Sequence, residues 1–119
     1  MEPGEQSEKD RLSHSARVLG VMRLIVIKTR ENGVTIDGHA GYAEHGKDIV
    51  CAGVSVLAQN LISSLEALTE DKIQYELEPG HISIEYEDLS AQGKLLVDSF
   101  FIGASRIAES YGHDYVQII

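Results

Sequence analysis

Two short hairpin patterns, each followed by a long helical one, fix most of what this chain can fold into. In the first, RLIVIKT (residues 23–29) is rich in β-branched residues and reads as a strand. RENG then turns on Asn32-Gly33, a usual tight-hairpin pair, and VTIDGH (residues 34–39) alternates apolar and polar and pairs back. In the second hairpin Ile73, Tyr75 and Leu77 alternate with polar residues, as do Ile82, Ile84 and Tyr86, around a Pro79-Gly80 turn. Between them DIVCAGVSVLAQNLISSLEALTE starts at Asp48, a good N-cap, and repeats Val54, Leu57, Ala58, Leu61, Ile62, Leu65 and Leu68 at helical spacing. Its first half is apolar on nearly every side, which predicts a buried helix. A second helix is capped near Ser90 and stopped at Gly112, with Leu96, Phe100, Gly103 and Ile107 on one stripe and Val97, Phe101, Ala104 and Ala108 beside it. The adjacent rings of Phe100 and Phe101 cannot both face one side, so one fills the core and the other a groove or interface. DYVQII closes the chain as a last strand. The order is ββαββαβ, and the fold class is α+β, with two long helices packed on a mostly antiparallel sheet.

The length of 119 residues suits one domain. The first 21 residues are polar and patternless, so they read as a disordered leader or non-native extension, with a single domain over residues 22–119. Glu2, Glu5, Glu8 and Asp10 precede any apolar stretch, which is no signal peptide. No apolar run approaches the roughly 18 residues of a membrane span. One cysteine excludes an intramolecular disulfide and every CxxC motif, and a free thiol fits a reducing, cytoplasmic setting. The net charge of -9 is poorly suited to nucleic acid, whose phosphates need clustered Lys and Arg. It suits a basic partner through steering, and so predicts a salt-sensitive encounter.

The chemistry concentrates in GHAGYAEHGKDIVCAG (residues 38–53). Cys51 stands at about the third helical position after Asp48, where unpaired N–H groups and the helix dipole favour the thiolate, while the charge of Asp48 opposes it. The Cys51 and Ala52 N–H groups could form an oxyanion hole. His39 ends the second strand and is the better-held base, whereas His45 sits on the tip of the loop. Gly38, Gly41 and Gly46 allow unusual backbone angles and a mobile, substrate-facing loop. The plainer alternatives stand beside these. A lone cysteine on an apolar helix is more often a packed core residue. A His39, His45 and Cys51 metal site is allowed by ligand type but lacks a recognisable ligand spacing. Glu85, Glu87 and Asp88 read as a solvated face, and His81, after its turn, as exposed.

GHAGYAEHGKDIVCAGVS resembles the signature of the bacterial ribosomal-processing cysteine proteases, most specifically in Gly38-His39-Ala40-Gly41 and in Asp48-Ile49-Val50-Cys51-Ala52. The likeness extends over residues 22–119 in element order and length. It implies a cysteine endopeptidase that removes the N-terminal extension of a large-subunit ribosomal protein, number twenty-seven of the bacterial series, after a motif of two aromatic residues and a small one. By that resemblance His39 is the base and Cys51 the nucleophile, Asp48 holds the motif's acidic position, and the protein is a homodimer with no metal and no other cofactor. The implied partner is a basic ribosomal protein, with no direct nucleic acid and no membrane. The competing reading is a non-catalytic ribosome-associated binding module with Cys51 in its core.

Overall fold

The computed structural model describes residues 23–44 and 47–119. The leader and the loop-tip residues His45 and Gly46 lie outside them. Strands β1 (Ile25–Arg30) and β2 (Gly33–Asp37) lead into helix α1 (Ile49–Leu68). Strands β3 (Ile73–Glu78) and β4 (His81–Tyr86), helix α2 (Ala91–Tyr111) and strand β5 (Val116–Ile118) follow. The expected ββαββαβ order is present. The sheet runs β3-β4-β2-β1-β5. Every neighbouring pair is antiparallel except β1 with β5, so the sheet is mixed but mostly antiparallel.

Strand alternation sorts the sheet into two faces. Ile25, Ile27, Val34, Ile36, Ile82, Ile84 and Val116 are buried under the helices. Lys28, Thr35, Asp37, His81 and Glu85 stand on the other face. Helix α1 contributes Val50, Val54, Ala58, Leu61, Ile62 and Leu65 to the core, and α2 adds Val97, Phe100, Ala104 and Ala108. Contrary to the expectation from apolar runs, α1 is by length and composition long and apolar enough to cross a membrane. Its buried side packs instead on α2 and the sheet. Nor is its first half buried all round, because Ile49 and Val56 face outward at 55% and 63% exposure. Leu68, expected in the stripe, is exposed where the helix ends.

The caps fall where the sequence places them. Asp48 caps α1, the Ser90 hydroxyl accepts the Gly93 N–H at 3.0 Å, and Gly112 ends α2 with φ 123°. Phe100 is core, while Phe101 is half-buried and meets it edge-on. The first hairpin differs in detail. Its turn residues are Glu31 and Asn32, and Gly33 is the first residue of β2, opposite Arg30. A Cβ on Gly33 would lie 2.5 Å from the Ile84 carbonyl oxygen, so the glycine serves close strand approach to β4.

Candidate active site

One carboxylate organises the site. Asp48 is 8% exposed, and its Oδ1 accepts the Val50 and Cys51 N–H groups at 3.0 Å each. Its Oδ2 turns the other way and accepts the Tyr42 N–H at 2.8 Å and the Ala43 N–H at 3.3 Å. A single side chain therefore caps α1 and fastens the glycine loop to it, through charge-assisted bonds that are stronger than neutral ones. The Tyr42 ring meets Tyr111 and Tyr115 edge-on at 5.4 and 5.2 Å, which fixes the same segment from its other side. Gly41 has φ 68°, and a Cβ there would come within 2.8 Å of the Arg23 side chain. Gly38 also has a positive φ, of 100°. The loop arm over residues 38–44 is thus held in place, and only the expectation for Gly46 and His45 lies outside the described residues.

Cys51 is the third residue of α1 and is half-buried, at the edge of the core rather than within it. Its Sγ accepts the Ala40 N–H at 3.2 Å, and the Gly41 N–H also points to it. Burial pushes the thiol above its ordinary range. The Ala40 and Gly41 N–H groups pull the other way, but the neighbouring Asp48 carboxylate adds to burial, and the upward shift wins. The helix N-terminus does not by itself make Cys51 a thiolate, because the capping carboxylate occupies that terminus. The expected oxyanion hole is corrected for the same reason. The Cys51 N–H is taken by Asp48 Oδ1, and the Ala52 N–H by the Asp48 main-chain oxygen at 3.0 Å. The amides nearest the sulfur come from the loop, at Ala40 and Gly41. Spacing alone gave no signal for that, since it depends on how the loop folds back.

His39 lies two residues past the end of β2 and is exposed. Its ring rests against Gly80 in the β3–β4 turn, and the Gly38 N–H bonds the Gly80 carbonyl oxygen at 2.9 Å. Among the described residues no hydrogen bond joins His39 to Cys51. The two line one cleft of about 690 Å³ together with Arg23, Pro79 and His81. His81 is not simply exposed. It is half-buried, its Nδ1 pairs with Asp37 Oδ1, and its Nε2 lies 3.4 Å from Glu76 Oε1. The hydrogen bond to Asp37 raises its pKa. Sequence reasoning passed over this cluster, although the register that places Asp37 opposite His81 follows from the two hairpins.

Among the described residues no group of three or more His, Cys, Asp or Glu could hold a metal ion. A wider hollow of about 1300 Å³, lined by Glu66, Asp71, Tyr86 and Asp88, contains neither Cys nor His. Glu85, Glu87 and Asp88 are exposed, as expected. What the cleft shared by Cys51 and His39 offers chemically is a thiol, an imidazole, and amide donors at the sulfur.

The chain is similar to known proteins along most of its length. Residues 22–117 match the family model described as Cysteine protease Prp. The ribosomal processing cysteine protease Prp of Staphylococcus aureus is 31% identical over 84 residues, 68% of this chain and 79% of that protein. The Bacillus subtilis protein of the same name is 28% identical over 81 residues, 62% of this chain and 72% of the relative. Among solved structures, the S. aureus protease in complex with a covalently linked product peptide superposes with a TM-score of 0.71 at 24% identity, over 80% of this chain and 95% of that one. A Streptococcus mutans protein gives 0.65 at 29% identity, over 87% and 97%.

Proposed function

The chain belongs to the Prp family of cysteine proteases, and from that premise we propose that it is an endopeptidase in which Cys51 is the nucleophile and His39 the base. The observation that carries this reading is the shared cleft of about 690 Å³, which Cys51 and His39 both line and which has room for a peptide segment. Because burial keeps Cys51 a thiol at rest, a base is required. His39 takes the Sγ proton, and the sulfur attacks the scissile carbonyl carbon. His39 then gives that proton to the leaving amine as the C–N bond breaks, which leaves a thioester on Cys51. Water, deprotonated by His39, attacks the thioester. The C–S bond breaks and the thiol is restored. From its seat in the cleft His39 completes its contact with the sulfur as substrate binds, in keeping with catalytic contacts that tighten only then.

The substrate of this reading is the N-terminal extension of the large-subunit ribosomal protein named above, cut in support of ribosome assembly, and the setting is cytoplasmic. Net charge -9 supports encounter with a basic ribosomal protein. The working unit is a homodimer. Exposed Ile102 and Leu95 on α2 and exposed Tyr75 and Leu77 on β3 offer apolar surface for a second copy.

The test is mass spectrometry of that ribosomal protein after incubation with wild type, Cys51→Ala and His39→Ala. Wild type is expected to release one N-terminal peptide, and neither variant any, with circular dichroism unchanged. Cleavage by Cys51→Ala would overturn the reading and favour the binding module.

A further inference from the structure

We propose that Gly80 is a positioning residue for the base, holding the His39 imidazole at the mouth of the cleft by direct contact; this rests on the reading of His39 as base. A base in a cysteine–histidine pair is ordinarily oriented by a third group that bonds its other nitrogen. Among the described residues no hydrogen bond or ion pair does so for His39. Steric contact takes that place. Pro79-Gly80 forms a turn whose second residue has φ 76°, which suits glycine. That conformation presents the bare Gly80 Cα to the imidazole. A Cβ on Gly80 would lie 2.8 Å from His39 Nε2 and 3.3 Å from Cε1, so the ring occupies the space of the missing side chain. The residue before His39 is fastened to the same glycine, since the Gly38 N–H bonds the Gly80 carbonyl oxygen at 2.9 Å. The β3–β4 turn thus meets both the main chain next to the base and the Nε2 edge of its ring.

The variant that separates contact from backbone strain is Gly80→Asn, because asparagine tolerates positive φ while carrying a Cβ. In the wild-type protein a nuclear Overhauser effect is expected between the His39 ring protons and the Gly80 α-protons. In Gly80→Asn, kcat for peptide cleavage is expected to fall about 100-fold with KM little changed, the order of loss that follows misplacement of a catalytic group by about 1 Å. The chemical shifts of the His39 ring protons move with it. Absence of the Overhauser effect overturns the proposal even where the variant fails to fold. So does a Gly80→Asn protein with wild-type kcat and unchanged His39 ring chemical shifts. A His39→Ala enzyme that cleaves normally would instead overturn the assignment of the base, a result distinct from the contact itself.

Discussion

Asp48 Oδ2 accepts the Tyr42 N–H at 2.8 Å, while Oδ1 of the same carboxylate caps α1 three residues before the sulfur of Cys51. The glycine loop and the helix that carries Cys51 are therefore not independent parts. Any change that releases one carboxylate oxygen moves the amides of Ala40 and Gly41 relative to the sulfur they face.

Replacing Asp48 by alanine strands four backbone N–H donors at once. The expected loss is about 2–4 kcal/mol of stability, from the cap and the unsatisfied amides together, with cleavage lost as well. Asp48→Asn separates the two tasks. Its single amide oxygen can keep the cap, while its NH₂ faces the loop donors. Near-wild-type thermal unfolding with strongly reduced cleavage, and faster hydrogen exchange at Tyr42 and Ala43, is the expected pattern. Equal exchange in wild type and Asp48→Asn would show that the loop does not depend on this carboxylate.

The raised pKa of Cys51 sets the pH dependence of its reactivity. Thiolate is the attacking form, and its fraction grows tenfold per pH unit below the pKa. Iodoacetamide labelling of the free enzyme is thus expected to be slow at neutral pH and to climb with no plateau by about pH 9. A plateau near neutrality would show that the thiolate is already formed. Asp48→Asn removes a charge that favours the thiol, and should bring the rise to lower pH.

Much of this was legible before any coordinates. Asp48, Ser90 and Gly112 announce their caps because capping is a local property of a few neighbouring residues. The alternation of Ile82, Ile84 and Tyr86 likewise fixes which side of β4 meets the helices. The sheet order and the parallel β1–β5 pairing were not legible, because both depend on where α2 returns the chain. The site divides in the same way. His39, Cys51 and Asp48 stand in one motif, but the state of the thiol depends on contacts across the loop. Helix position alone favoured thiolate. Burial, added to the opposing charge of Asp48, reverses that balance, and burial is not a property of spacing. The seat of His39 on Gly80 joins residues 41 positions apart and belongs wholly to the tertiary fold.

His81 makes stability depend on pH in a defined direction. Its pKa is raised, first by the hydrogen bond to Asp37 and further by Glu76, so the folded state favours the protonated ring. The resulting stabilisation is fully present below the unfolded value of about 6.5 and is lost as pH rises through the raised folded value. About pH 5.5–6, just below the unfolded value, is therefore the window in which to see it. His81→Gln is expected to lower the unfolding temperature there and to have little effect at pH 9. An equal change at both pH values would assign His81 a packing role only. The ring is accessible to solvent, so the difference is also expected to shrink in high salt.

The Tyr42 ring anchors the loop to the end of α2 and the start of β5 through its two edge-on contacts. Each such aromatic pair contributes about 1 kcal/mol beyond the area it buries. Tyr42→Ala is therefore expected to cost at least about 2 kcal/mol of stability, and Tyr42→Phe, which keeps the ring, far less. The two variants also discriminate how the loop is held. If the ring and Asp48 act as a unit, Tyr42→Ala reduces cleavage as Asp48→Asn does, and the double variant is no worse than either alone in kcat. If they act separately, the two losses multiply. The double-mutant cycle in cleavage rate, with unfolding measured in parallel, decides between a loop fixed at one cooperative point and one fixed twice.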